Sequence, residues 1–250
     1  TSALAAITTG DKNVAIGSGA SALITISNQN IAIGYTALAE QVGGGSNIAI
    51  GDAAMSQTGG TNAATSDNNI FIGRSSGGGD WADAVSQYNV GIGSYTMDAA
   101  MNASSSNTAV GYASLGAVTT GDYNVAIGFE AGNDIVSGHN NVLIGNNAGD
   151  KSSAGGYLVV IGDNAGGADI HADADGSVLI GASAGAALTS GERNIAIGYQ
   201  AMDALPDGDD NIAIGYGALT DASTTATVRN IAIGSYALES LNANCSDNVA

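Results

Sequence analysis

Residues 107–132 read NTAVGYASLGAVTTGDYNVAIGFEAG, and this stretch contains one short motif twice, 17 residues apart. The motif is Asn, a β-branched residue, a residue that is usually Ala, a second β-branched residue and Gly. It recurs along the whole chain, and its glycines are Gly17, Gly34, Gly51, Gly73, Gly93, Gly111, Gly128, Gly145, Gly162, Gly181, Gly198, Gly215 and Gly234. A fixed period of this kind is the signature of a repeat architecture.

The base period of 17 residues, with occasional insertions, predicts one short strand in each repeat. Apolar β-branched residues two positions apart are typical of a strand and not of a helix. The motif Gly then turns the corner, and a second segment with pairs such as Ala37-Leu38 precedes the return loop. We therefore predict an all-β fold, a parallel β-solenoid (β-roll) of about 13 coils, continuous over residues 1–250. At a strand spacing of about 4.8 Å, such a rod would be roughly 60 Å long.

The composition supports a thin, repetitive core and excludes several classes of function. The chain has 38 Gly and only 2 Phe and 1 Trp, which is unlike a thick globular core. Its 23 acidic and 5 basic residues give a net charge of −18, which argues against binding to nucleic acid or anionic membranes. Because no run of 18 apolar residues occurs, we expect no membrane insertion in this segment.

The alternation along each strand leads to a prediction about self-association. If Val14 and Ile16 point into the coil, Ala15 points out, and the outward row is small and apolar for most of the chain. Larger residues interrupt this row at Phe71, Leu143, Val160 and Leu179. An uncharged flat row is a surface for close packing, so we expect a homo-oligomer with parallel axes. The alternative is that a loop of the same chain covers the row.

An Asn precedes the strand in eleven of the thirteen repeats, for example Asn13, Asn30 and Asn107. Stacked Asn side chains can form amide ladders, and Asn can bond the local backbone at a corner. We therefore interpret these residues as structural.

The repeats NVAIGSGASA, NIAIGYTAL and the stretch quoted above resemble the head repeats of trimeric autotransporter adhesins. They are equally similar to repeats of bacteriophage tail fibres and other surface fibres. The resemblance covers essentially the whole chain. It implies a parallel β-roll, three identical chains side by side, and a role in reaching or holding a surface. Adhesin heads have a shorter repeat, so the additional residues here would enlarge the loops.

Both chain ends fall inside a repeat. Thr1 to Leu4 aligns with the residues that follow a motif Gly, and Asn248-Val249-Ala250 stops two residues before an Ile-Gly. Terminal solenoid repeats normally carry polar caps. We expect the chain to be a window of a longer repeat array, or else a subunit that stacks head to tail.

The sequence predicts no catalytic site, no cofactor and no metal site. His139 and His171 lie in different repeats, and no nucleophile elbow, phosphate loop or zinc spacing is present. Alternating carboxylates at Asp169, Asp173 and Asp175 resemble half of a calcium loop that lacks its distal Glu, and residues 207–210 are similar. Solvated turns are the preferred interpretation of both clusters, and calcium binding is left open.

Insertions produce two longer loops at residues 58–67 and 78–88, and the second contains the single tryptophan, Trp81. Loops on one face of a solenoid are where recognition is grafted, so Trp81 is either a contact residue or a cover for the rod. Tyrosines follow several motif glycines, and they either contact glycans or shield the corner; these are Tyr35, Tyr112, Tyr199 and Tyr216.

Taken together, these features predict a structural extracellular fibre or an adhesin-type stalk or head segment that mediates surface attachment. We expect a homotrimer located outside the cell, on a cell surface or on a virion, with a cell-surface or glycan receptor. The alternatives are a head-to-tail extracellular filament and an ice-binding β-solenoid. An ice-binding face requires a regular array, whereas the position after the motif Gly varies from Ser18 to Tyr35 to Asp52. An enzyme is not expected, because the strands carry almost no carboxylates.

Overall fold

A computed structural model describes residues 2–59, 65–82, 84–171, 174–220, 227–239 and 246–250. The chain is all-β and forms a parallel β-solenoid of about 13 coils with about 17 residues per turn, as the repeat predicts. It divides into two compact units, Thr1–Tyr123 and Asn124–Ala250, which are described in turn. That the whole chain is one continuous solenoid stays a prediction.

Among its described residues, the first unit contains six strands of three residues, and each strand pairs in parallel with the next. The register places equivalent motif residues opposite each other, so Ile31 pairs with Ile48 and Ile33 with Ile50. These strands are β1 Val14–Ile16, β2 Ile31–Ile33, β3 Ile48–Ile50, β4 Ile70–Ile72, β5 Val90–Ile92 and β6 Thr108–Val110.

The second unit repeats the same arrangement, and the part of it that the structure describes has seven strands in parallel register. Its insertions fall in the loops, and the pairing is kept across them, so Val159 still pairs with Val178. These strands are β7 Val125–Ile127, β8 Val142–Ile144, β9 Val159–Ile161, β10 Val178–Ile180, β11 Ile195–Ile197, β12 Ile212–Ile214 and β13 Ile231–Ile233.

The Asn residues that precede most of the strands form the ladder that the sequence predicts. Asn47 is fully buried, and its side-chain oxygen accepts a hydrogen bond from the backbone N–H of Asn69 in the next coil, at 3.0 Å. Its side-chain nitrogen donates to the carbonyl of Ser66 at 2.9 Å. Where the motif has Ser177 instead, its hydroxyl oxygen accepts the backbone N–H of Asn194 at 3.2 Å. The ladder therefore satisfies buried backbone groups that have no strand partner.

The motif Gly is required by both backbone conformation and stacking. All thirteen motif glycines have φ between +128° and +145°, a region that other residues rarely adopt. A Cβ on Gly145 would lie 2.5 Å from the carbonyl oxygen of Gly162 in the next coil. Where the next coil stacks on the motif Gly as it does at Gly145, the corner therefore has room only for Gly, and the positive φ favours Gly at all thirteen corners.

Each coil also contains positions outside the motif Gly where residues with side chains adopt a left-handed conformation. These positions lie two and four residues after the motif Gly and one residue before the Asn. Around Gly34 and Asn30, for example, they are Thr36, Leu38 and Gln29, with φ values of +49°, +52° and +62°. Such conformations are unfavourable for a single residue, so the packing and hydrogen bonds of the stack must offset them.

Side chains from three positions contribute the large residues of the core of a coil, and the sizes at two of these positions are complementary. They come from the middle of the strand, from four residues after the motif Gly, and from the returning segment. Where the strand contributes Ala196, the second position is Met202, and both are buried. Where the strand contributes Leu179, the second position is Gly185, whose Cβ would lie only 2.6 Å from a methyl carbon of Leu179. In each of these two coils, one of the two positions therefore holds a large residue and the other a small one.

Exchanging the two residues of one coil tests this complementarity. Leu179→Ala alone should cost about 2–5 kcal/mol through the cavity that it leaves, and Gly185→Leu alone should be destabilising because of the clash. The double variant gives this coil the combination of its neighbour, a small residue in the strand and a large one four residues after the motif Gly. The backbone at Gly185 accepts a side chain, because its φ of +59° is close to the +54° of Met202. We expect urea unfolding to give a favourable coupling free energy of at least about 1 kcal/mol. Additive effects would contradict the shared core.

Candidate functional surfaces

The strand residues that point into the coil are the ones that the sequence analysis predicted to point outward. From Ala32 onward the middle residue of every strand is buried, whereas the β-branched residues on either side are partly or largely exposed. The prediction that the Ala row points outward, and that the larger residues in that row interrupt an outer surface, was wrong. The Asn side chain is turned inward, and alternation then places the residue two positions later inside as well.

The outward surface is therefore a row of mostly Ile and Val side chains next to the position after the motif Gly, which carries an aromatic side chain in several coils. In the second unit, Ile127 is 40% exposed and Phe129 is 48% exposed. The same positions in the other described coils include Ile16, Tyr35, Ile92, Tyr112, Tyr199, Tyr216 and Ile233, all exposed. Exposed apolar rows of this kind mark association surfaces on soluble proteins.

The tyrosines beside the motif Gly contact one another along the stack. Tyr199 stacks on Tyr216 with ring centroids 5.4 Å apart, and Tyr216 makes an edge contact with Tyr236 at 5.0 Å. In the first unit Tyr95 and Tyr112 are 5.6 Å apart, and the guanidinium of Arg74 lies 5.5 Å from the Tyr95 ring. The rings stabilise the outer corner, although their outer parts stay accessible. Whether they contact glycans stays untested.

Trp81 covers the core and is not displayed on a loop. Only 1% of it is exposed, its indole nitrogen donates to the carbonyl of Gly77 at 3.0 Å, and its ring packs edge-on against Phe71 at 5.9 Å. Gly91 makes room for this pair, because a Cβ there would lie 2.5 Å from the Phe71 ring. Of the alternatives for Trp81, the cover is confirmed. Residues 60–64 and 83 of the insertion loops 58–67 and 78–88 lie outside the described residues.

The acidic candidates contact the neighbouring coil. One carboxylate oxygen of Asp175 accepts the backbone N–H of Gly156 at 2.6 Å, and one of Asp169 accepts the hydroxyl of Ser153 at 3.0 Å. His171 lies 3.7 Å from Asp169, and Asp173 lies outside the described residues. Among the described residues, no group of three potential metal ligands is found.

The cluster at residues 207–210 is similarly engaged. Asp207 accepts hydrogen bonds from the hydroxyls of Thr189 and Ser190, at 3.0 and 2.7 Å. Asp210 pairs with Arg193 at 2.7 Å, and in the next coils Arg229 pairs with Asp247 at 2.8 Å. The guanidinium groups of Arg193 and Arg229 hold the pKa values of Asp210 and Asp247 below the usual range. These exposed carboxylates serve to connect coils.

The two histidines lie in different coils and make different contacts. His139 makes an edge contact with the Tyr157 ring at 5.2 Å, whereas His171 lies beside Asp169 as described above. Within the described parts of the chain, no helix is long and apolar enough to cross a membrane.

Sequence reasoning missed a polar notch at the corner that precedes the strands in the first unit. The glycine run Gly43–Gly45 removes side chains from one coil, and polar residues of the coils on either side line a cavity of about 250 Å³. Its lining includes Asn28, Gln29, Ser46, Asp67 and Asn68. The signal in the sequence is the run of three consecutive glycines, since the equivalent corner of the other repeats has at most two, as at Gly155 and Gly156.

No protein-family model matches the chain, and no curated protein is significantly similar to it. Inferences about function consequently depend on the surfaces of the chain itself.

One carboxyl group is expected to make stability depend on pH. Burial raises the pKa of Asp98 from 3.8 to about 6, although a hydrogen bond with the backbone of Gly78 lowers it in part. Between these values the folded chain holds a proton that the unfolded chain has lost, so the free energy of unfolding falls as pH rises from about 4 to 6. Asp98→Asn should therefore raise the urea midpoint at pH 7 and leave it almost unchanged at pH 4.

Asp52→Asn is the matched control, because Asp52 is exposed and its loss changes the net charge equally. If both variants raise the urea midpoint equally at pH 7, the cause is the change in net charge. That result would contradict a role for the burial of Asp98.

Proposed function

We propose that the chain is a segment of a structural extracellular fibre, of adhesin or tail-fibre type, that mediates surface attachment without catalysis. The repeat resemblance supports this class, and so does the acidic, stacked-coil construction, in which the aspartates described above bond the neighbouring coil. The single observation that carries the proposal is the outward Ile/Val row with its aromatic neighbours. We place the protein on a cell surface or a virion, in keeping with that class.

The outward row supports self-association for a different reason from the one that the sequence suggested. A row of exposed β-branched side chains offers more apolar area than a row of Ala, and its burial would stabilise an assembly by about 25 cal/mol for each Å². Parallel strands in register repeat the same side chain from coil to coil, so a second copy could match the row along its length. Three copies with parallel axes is the arrangement that the resemblance implies, and we propose a homotrimer.

A substitution on the outward row should separate assembly from folding. Ile127→Lys places a charge on the proposed contact surface, where burial without a partner is costly, so we expect a shift from trimer towards monomer in sedimentation velocity. Val136→Lys is the control, because Val136 lies in the returning segment of the same coil and is 41% exposed, compared with 40% for Ile127. Thermal unfolding of both variants checks that the fold is kept.

The proposal fails if the unsubstituted chain is monomeric at all concentrations, or if Val136→Lys dissociates the assembly as strongly as Ile127→Lys. Assembly that grows without limit as concentration rises would instead favour the head-to-tail filament.

A further inference from the structure

The notch of the first unit has the geometry of a small binding site. It lies where consecutive coils present the two residues before each Asn, and its volume of about 250 Å³ is just below the range of about 300–1,000 Å³ for drug-sized ligands. The backbone beneath it is tightly packed, since a Cβ on Gly44 would lie 2.1 Å from the carbonyl oxygen of Ser66. The concavity is therefore built into the stacked backbone.

Three successive coils turn polar side chains towards this notch from the same position. Gln29, Ser46 and Asn68 are exposed and have φ values of +62°, +57° and +59°. Their backbone N–H groups donate to the preceding coil, at 3.0 to 3.1 Å, which fixes the corner. Their side chains make no hydrogen bond with any described residue, so amide and hydroxyl groups stay available at a spacing of one coil.

Two further polar groups are held in place by bonds that use only part of their capacity. The side-chain oxygen of Asn28 accepts the backbone N–H of Asp11 at 2.7 Å, which orients the amide nitrogen as a free donor. One oxygen of Asp67 accepts the backbone N–H of Gly45 at 2.5 Å, and its second oxygen bonds no described residue. The notch therefore offers fixed donors and acceptors with one carboxylate.

An aromatic side chain continues the row at the next coil. Tyr88 occupies the position equivalent to Asn68, its φ is +61°, and its backbone N–H donates to the carbonyl of Asp67 at 3.3 Å. The side chain is 56% exposed, and its ring contacts no described aromatic ring. Ile26, 59% exposed, adds an apolar side chain to the notch lining.

We propose that this notch, with Tyr88 beside it, binds a neutral sugar unit of a glycan. Planar amides, a hydroxyl and a carboxylate match the vicinal hydroxyls of a sugar, and a tyrosine ring can pack on its C–H face. The lining contains no Lys or Arg and includes Asp67, and the chain carries a net charge of −18, so anionic sugars are disfavoured. This proposal rests on the proposed attachment function only for the class of receptor, a glycan. The site itself does not depend on assembly, because a single unit contains every residue involved.

Sugar binding by the intact chain tests the proposal. The probes are methyl glycosides of neutral hexoses and N-acetylhexosamines, with methyl sialoside as the anionic comparison, titrated at millimolar concentration by saturation-transfer NMR. We expect binding of at least one neutral glycoside and none of the sialoside. Tyr88→Ala and Asn68→Ala should each weaken it about tenfold, the loss expected for one good contact.

The repeat provides matched controls on the same type of corner. Tyr123 is 62% exposed with a φ of +58°, and Asn140 is exposed with a φ of +56°. Tyr123→Ala and Asn140→Ala should therefore leave the affinity within about twofold while imposing the same backbone cost. Absence of binding to every neutral glycoside, preference for the sialoside, or equal losses in the controls would each overturn the site.

Sedimentation velocity on the same samples separates this proposal from the proposed function. Sugar binding by a chain that stays monomeric would support the sugar site and contradict the proposed fibre assembly. A trimer that binds no glycoside would support the assembly and contradict the sugar site.

Discussion

The rest of this structure depends on the hydrogen bonds of the buried Asn that precedes most of the strands. Its side chain accepts the backbone N–H of the next Asn and donates to a carbonyl of the next coil, as in Asn89, at 3.0 and 2.9 Å. Because this side chain points inward, alternation sends the next residue outward and the following one inward. The core, the outward apolar row and the tight corner at the motif Gly all follow from this direction.

The sequence was sufficient for the repeat, the coil and the corners, because each of these depends on local residue types. Gly at φ values near +140° and Asn before the strand leave a clear periodic signal. The direction of the strand could not be taken from apolar alternation alone, since Ala and Ile are both apolar and both directions bury apolar side chains. The polar Asn two positions before Ala contained the missing information, because an Asn in a ladder has to be inside.

The surface features could not be predicted from local residue types, because they depend on contacts between stacked coils. Burial of Trp81 depends on Phe71, Gly77 and Gly91, which come together only when coils stack. The notch likewise joins residues up to 42 positions apart in sequence, from Ile26 to Asn68. An insertion loop that the sequence suggests is displayed can therefore cover the core, as Trp81 does. A corner formed by glycines can instead form the notch.

Backbone hydrogen exchange in Asn89→Ala tests the Asn ladder most directly. The substitution leaves the buried backbone N–H of Asn107 and the carbonyl of Ser104 without their side-chain partner, at a cost of about 2 kcal/mol or more. We predict that the Asn107 amide exchanges about 30-fold faster or more, while the exposed Asn102→Ala control leaves it unchanged. Equal protection of Asn107 in the two variants would contradict the ladder as the determinant of the fold.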